Sequence, residues 1–161
     1  MLTQNSLPIA ATSSAIQDPD VRALLSECQP GAVSFYPVNA MIYAQGDEAG
    51  ALYLVEFGTV RTCQLTPDGR RQNTSFCYAG DVFGLEAGSE HEFFAESVDG
   101  AGIRLLRPAA DSNIARRLLN LALRRLARVQ SHLVLLGRKS ANERVAAFLL
   151  DLLDQQDSGG A

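Results

Sequence analysis

Between Ile114 and Leu136, leucine, valine and alanine return every three or four positions, with no proline to break the run. Leu119, Ala122, Leu126, Val129, Leu133 and Leu136 fall on a heptad seam, the spacing of one helix face that meets another helix. Leu123, Ala127 and Val134 lie beside the seam. They widen the apolar arc to roughly half the circumference, against about 100° for an ordinary surface helix. Arg117, Asn120, Arg124, Arg128, Ser131 and His132 fill the opposite side. An arc this wide predicts a helix covered on two fronts, by its own domain and by a partner, and the seam makes a second copy the natural partner. Gln130 lies inside the arc, where its amide either pairs across a dimer or bends to solvent. The helix is expected over 111–137, capped by Asp111 or Ser112 and ended by Gly137.

Upstream, the period changes. Short β-prone runs are expected at 33–36, 41–44, 52–57, 60–65, 72–77, 93–98 and 103–107. Gln45-Gly46-Asp47, Gly58, Pro67-Asp68-Gly69, Ala79-Gly80-Asp81 and Asp99-Gly100 punctuate them as turns. Even spacing of about seven strands predicts an antiparallel sandwich or barrel-like roll, not βαβ units. With helices at both ends, the class is α+β. Asp18-Pro19 opens a short helix to about Cys28, stopped by Gln29-Pro30-Gly31. Ser140-Ala141-Asn142-Glu143 is a capping box that starts a last amphipathic helix through Val145, Phe148, Leu149 and Leu152. The chain thus divides into a flexible arm (1–17), a short helix plus roll (18–110), a dimerisation helix (111–137), an amphipathic helix leading to a hinge (138–155) and a linker-like tail (156–161).

Composition adds exclusions. A net charge of −4 carries no electrostatic footprint of a nucleic-acid binder. The charge is uneven, however. Residues 72–103 hold no Lys or Arg but include Asp81, Glu86, Glu90, Glu92, Glu96 and Asp99. Residues 112–142 hold no acid but include Arg116, Arg117, Arg124, Arg125, Arg128, Arg138 and Lys139. That basic face reads as solvated and partly paired with the acidic region. Cys28, Cys63 and Cys77 are widely spaced and odd in number, so they signal neither a disulfide framework nor a zinc site. No leader pattern and no apolar run of bilayer length is seen, which places the chain in the cytoplasm and off the membrane. A metal-dependent enzyme on a cupin-like roll would need His and Glu at ligand spacing, and His91 and His132 fall on different elements. Ser89 precedes His91, but there is no G-x-S-x-G elbow for a hydrolase. No enzymatic activity, metal or cofactor is expected.

A β-roll followed by a long helix and a short capped helix resembles the effector half of the CRP/FNR superfamily of bacterial transcription regulators. The residues that carry the resemblance are Ile42 to Asp47, Leu52 to Val55 with Gly58-Thr59-Val60, Asp68 to Gln72, Ala79 to Gly84 and Asn142 to Leu149. Phe83 to Ser89 and Phe93 to Glu96 look most like the FixK group. The resemblance implies a cyclic-nucleotide-binding-like jelly roll, homodimerisation through the long helix, and DNA binding through a helix-turn-helix domain. Only residues 154–161 follow Leu153, so that domain is expected to lie outside this chain. The hairpin tip, Thr66, Pro67, Asp68, Gly69 and Arg70, corresponds to a loop that contacts RNA polymerase in FNR-like activators. Gly84 and Glu86 look like a remnant of the nucleotide cassette with a structural role.

Three departures shape the functional expectation. Relatives that bind cyclic AMP hold its phosphate with an Arg-Ser or Arg-Thr pair, and Glu92-Phe93 stands at that place, inside the stretch without a base. Residues 1–17 lack the cysteine cluster of an iron–sulfur sensor, and neither His91 nor His132 has a spacing that marks a haem ligand. The expected function is therefore the regulatory and dimerisation domain of a FixK-like regulator that binds no cyclic nucleotide and holds no iron–sulfur centre. The alternatives are a nucleotide-binding module of another signalling protein, or a partner lacking the helix-turn-helix that pairs with a full-length regulator.

Overall fold

The computed structural model describes residues 16, 18–108 and 112–138, and positions 142, 143, 145, 146, 149 and 150 beyond them. Side chains of 29, 30, 112, 132 and 134–138 are outside that description, as are Ser140 and the tail. The chain divides between 109 and 110 into two compact units.

The first unit opens with α1 (Pro19–Glu27). Asp18 caps it through Oδ1, which accepts from the N–H of Asp20 at 2.8 Å and of Val21 at 3.3 Å. Val21 and Leu24 are its buried positions. Eight strands follow: β1 (Gln29–Tyr36), β2 (Met41–Tyr43), β3 (Leu52–Phe57), β4 (Val60–Leu65), β5 (Arg71–Cys77), β6 (Val82–Phe83), β7 (Phe94–Ser97) and β8 (Ala101–Arg107). They form two antiparallel sheets, ordered β1-β8-β3-β6 and β2-β7-β4-β5. A core of Tyr43, Val55, Val60, Cys77, Phe83, Ala95, Ala101 and Ile103 draws on strands of both. This is the antiparallel roll that the spacing of the strands predicts.

Boundaries differ where local chemistry overrides the pattern. Gln29-Pro30-Gly31 follow the end of α1, as expected, but already belong to β1, which the pattern starts only at Val33, with a register irregularity between Pro30 and Val33. Proline is tolerated there because β1 is an edge strand. β2 stops at Tyr43 because the Ala44 N–H donates to the Asp47 carboxylate at 2.7 Å, starting a turn. β6 has only two residues, too few for an alternation to show.

In the second unit, α2 spans Ser112–Arg138, 27 residues, or about 40 Å at 1.5 Å per residue. Gly137, expected to end the helix, lies inside it. A helix end moves by one or two residues at little cost, so one glycine does not fix it. Ile114 is buried and Leu118 and Leu121 are half-buried, whereas Leu119, Leu123, Leu126, Val129 and Leu133 are exposed. The described positions between 142 and 150 are helical, and Val145, Leu149 and Leu150 are exposed.

Candidate functional site

Gly84 and Glu86 lie on the segment joining β6 to β7. Gly84 has φ +80°, and a Cβ there would lie 2.6 Å from the Tyr53 ring. A side chain at this position is therefore excluded by both backbone and space. Glu86 lies near His91, whose Nδ1 donates to Glu86 Oε1 at 3.3 Å. His91 is 2% exposed. Its ring stacks on Tyr43 with centroids 3.7 Å apart and planes 12° apart, and Tyr53 and Phe83 pack beside that pair. A carboxylate only accepts, so this bond places a proton on Nδ1. Nε2 has no hydrogen-bond partner among the described residues. The backbone is fastened as well: the His91 N–H donates to Asp47 O and the Gly46 N–H donates to His91 O, both at 2.8 Å. Glu90 bridges Glu48 next to it. Gly84 thus lies against the Tyr53 ring and Glu86 against the His91 ring.

A second polar cluster lies on the β2-β7-β4-β5 sheet. Glu96 of β7 is buried, and its Oε1 accepts from Arg61 Nε of β4 and from Arg71 Nη1 of β5, the latter at 3.1 Å. Arg61 also donates to Asn39 Oδ1 at 3.1 Å, and the Arg71 guanidinium lies 4.7 Å over the Phe94 ring. Cys63 lies within this cluster, 3.1 Å from Asn73 Oδ1. Burial, and then the Glu96 charge, push its thiol above the ordinary value. The expectation of an acidic stretch without a guanidinium is corrected here. Cross-strand pairing brings two arginines to Glu96, although neither lies within 72–103.

The hairpin between β4 and β5 holds its own shape. The Thr66 N–H donates to Arg70 O at 2.9 Å, and the Gly69 N–H donates to Thr66 O at 2.8 Å, with Gly69 at φ +79°. Asp68 accepts from the Thr66 hydroxyl and pairs with Arg70 at 3.2 Å, fully in solvent. The hydroxyl bond holds the Asp68 carboxyl below its usual range. Thr66, Asp68, Gly69 and Arg70 therefore form one ordered, protruding tip.

On α2, Leu119, Ala122, Leu126, Val129, Gln130 and Leu133 are all exposed along one side, and so is Leu123. The side chain of Leu136 lies outside the described residues. His91–Glu86 and Glu96 with its two arginines went unforeseen, because each depends on loops or strands distant in sequence. Among the described residues, no group of three or more potential metal ligands is found.

Residues 33–98 match the family model of the cyclic nucleotide-binding domain. The nitrogen fixation regulation protein FixK of Rhizobium meliloti is 45% identical over 130 residues, covering 81% of this chain and 62% of that one. FixK of Azorhizobium caulinodans is 40% identical over 129 residues, 76% of this chain and 52% of that one. The structure of FixK2 from Bradyrhizobium japonicum superposes with TM-score 0.66 at 37% identity, over 77% of this chain and 65% of that one. The chain belongs to the CRP/FNR family, in its FixK-like group. It spans about half to three-fifths of the length of the curated FixK relatives it matches. Within the matched residues of this FixK-like chain lie the hairpin tip, Gly84, Glu86, His91 and Glu96; α2 follows them.

Proposed function

We propose that the chain is the regulatory and dimerisation domain of a FixK-like transcription regulator, one that binds neither a cyclic nucleotide nor an iron–sulfur centre. The observation that carries the proposal is the row of exposed Leu119, Leu123, Leu126, Val129 and Leu133 on α2, in a chain related to FixK. Covering the half of each side chain still exposed contributes about 1 kcal/mol apiece. Two helices together meet an association cost within the roughly 4–15 kcal/mol range. A homodimer through Leu119, Ala122, Leu126, Val129, Gln130, Leu133 and Leu136 follows. DNA recognition then belongs to a helix-turn-helix domain outside these residues, with the dimer presenting two of them to a palindrome. The hairpin tip at Thr66, Asp68, Gly69 and Arg70 is the proposed RNA polymerase contact, and the location is cytoplasmic.

Two features support the exclusion of cyclic nucleotides. A phosphate needs an available guanidinium, and Arg61 and Arg71 are both committed to Glu96. The loop after β6 offers only Glu86, Glu90 and Glu92 as charged residues. For the iron–sulfur centre, Cys28, Cys63 and Cys77 are each buried, one after α1 and one in each of β4 and β5. Light scattering tests the dimer. The parent is expected at twice the chain mass and Leu126→Glu at the chain mass, because an unpaired charge at mid-seam resists burial. A monomeric parent at tens of micromolar, a concentration set by ordinary affinities, overturns the reading. In a gel shift, residues 1–161 alone are expected to leave a FixK-type palindrome unretarded, apart from weak attraction that fades with salt and ignores sequence.

A further inference from the structure

The β4–β5 hairpin is longer than the sheet that carries it. β7 pairs with β4 through Val60, Arg61, Thr62 and Cys63 and goes no further, and β5 is the edge strand. Beyond Cys63, Gln64 pairs with Gln72 and Leu65 with Arg71, and the tip at 66–70 closes this overhang. A two-stranded hairpin by itself is marginal in water. The register also shifts where the overhang begins. Thr62 faces Ser75 and Cys63 faces Asn73, so Thr74 is an extra residue on β5. Such a bulge bends its strand. The Thr74 hydroxyl donates to Thr62 O at 3.0 Å and fastens the bend.

One side chain reaches back across it. Arg71 Nη1 donates to Glu96 Oε1 at 3.1 Å, and the guanidinium lies 4.7 Å over the Phe94 ring. Both partners are buried residues of β7, two strands away. Among the described residues, no other side chain from Gln64 to Gln72 makes a hydrogen bond, ion pair or ring contact outside the hairpin.

We infer that Arg71 is a positioning residue: anchored on Glu96 and Phe94, it sets the angle at which the hairpin tip is presented, with the bulge at Thr74 as the hinge. The inference rests on the RNA polymerase contact proposed for that tip and names how the contact is held ready. A tip that samples many angles is aligned for its partner only part of the time, and its apparent affinity falls by that fraction. A charged hydrogen bond and a ring under the same guanidinium fix both the reach and the direction of the strut. Arg61 shares Glu96 but stands where β4 is already paired on both sides, so it adds nothing to the angle of the tip.

The test uses the whole chain. Nitrogen-15 relaxation of the parent is expected to give order parameters of about 0.85, the level of rigid backbone, at the amides of Gln64, Leu65, Gly69 and Gln72. Arg71→Gln is expected to drop them below about 0.6 and to leave Arg61 and Thr62 unchanged. Glu96→Gln should loosen the same amides, and Arg61→Gln should not. The same chains are then titrated against purified RNA polymerase holoenzyme. Asp68→Ala with Arg70→Ala removes the contact itself and is expected to lower affinity about ten-fold. Arg71→Gln leaves the tip side chains in place and is expected to lower it about five-fold, the loss for a tip aligned one-fifth of the time. Arg71→Lys keeps a cation against Glu96 and Phe94 and is expected to restore affinity to within about two-fold of the parent. A tip as ordered in Arg71→Gln as in the parent overturns the strut. Equal loosening in Arg61→Gln also overturns it, because lost charge balance at Glu96 would then account for the effect. A loosened tip with parental affinity overturns the positioning role. A parent that does not bind the polymerase, or a tip variant that binds as the parent does, overturns the polymerase contact and the role built on it, while relaxation still reads the strut separately.

Discussion

His91 holds a core position with a polar ring, stacked on Tyr43 and tied to Glu86. His91→Ala is expected to cost about 3 kcal/mol in urea unfolding, the scale for truncating a buried ring. His91→Phe keeps the stack but leaves Glu86 without its donor, an expected loss of about 1–3 kcal/mol. Parent-like stability of the Phe variant would show that the bond to Glu86 contributes nothing. Gly84→Ala meets both φ +80° and the Tyr53 ring at 2.6 Å, and is expected to lose at least about 1–3 kcal/mol. The Cys63 thiol is raised by burial and by Glu96, so its neutral form is favoured in the fold. Its contribution is whole below the ordinary thiol value of 9.0 and is lost as pH rises through the raised value. Urea unfolding should therefore show stability falling above pH 9, with a shallower fall in Cys63→Ala. The turn glycines were legible in the sequence because turn chemistry is local. His91 was not, because a five-residue separation from Glu86 matches neither helical nor strand periodicity, and only the loop's path joins them.

For whole elements, legibility follows the length of the repeating pattern. The 27-residue α2 repeats its pattern for seven turns and was visible at once; β6, with two residues, was invisible. The β4–β5 hairpin was marked by Pro67-Asp68-Gly69, but its pairing with β7 was not, since a partner strand distant in sequence leaves no local trace. That hidden pairing decides the charge balance of the sheet. Removing a fully buried ion-pair partner costs about 3–5 kcal/mol. Arg61 and Arg71 are partly exposed and rehydrate, so Glu96→Ala is expected to cost only about 1–2 kcal/mol in the same assay. A loss as large as the buried-pair figure would mean that the arginines stay dry.

At the scale of the molecule, the roll repeats the family's architecture, and the proposed function has it bind no cyclic nucleotide. Calorimetry with cyclic AMP or cyclic GMP is expected to show no heat of binding, and micromolar affinity would refute that reading. The overall architecture was readable because turn residues punctuate most of the strands, whereas the order of strands within the sheets was not. That order places β8, the last strand, at the middle of its sheet, between β1 and β3. Gln29 pairs with Arg107 and Leu52 with Leu106, so the two ends of the roll close on each other. Pairings this distant in sequence slow folding to roughly milliseconds or seconds. A ribosome making the chain therefore releases β1 and β3 before the strand that lies between them. A chain stopped at Asp99 is expected to give the circular dichroism of an unfolded polypeptide, and the roll to assemble only once Arg107 has been synthesised and has left the ribosome.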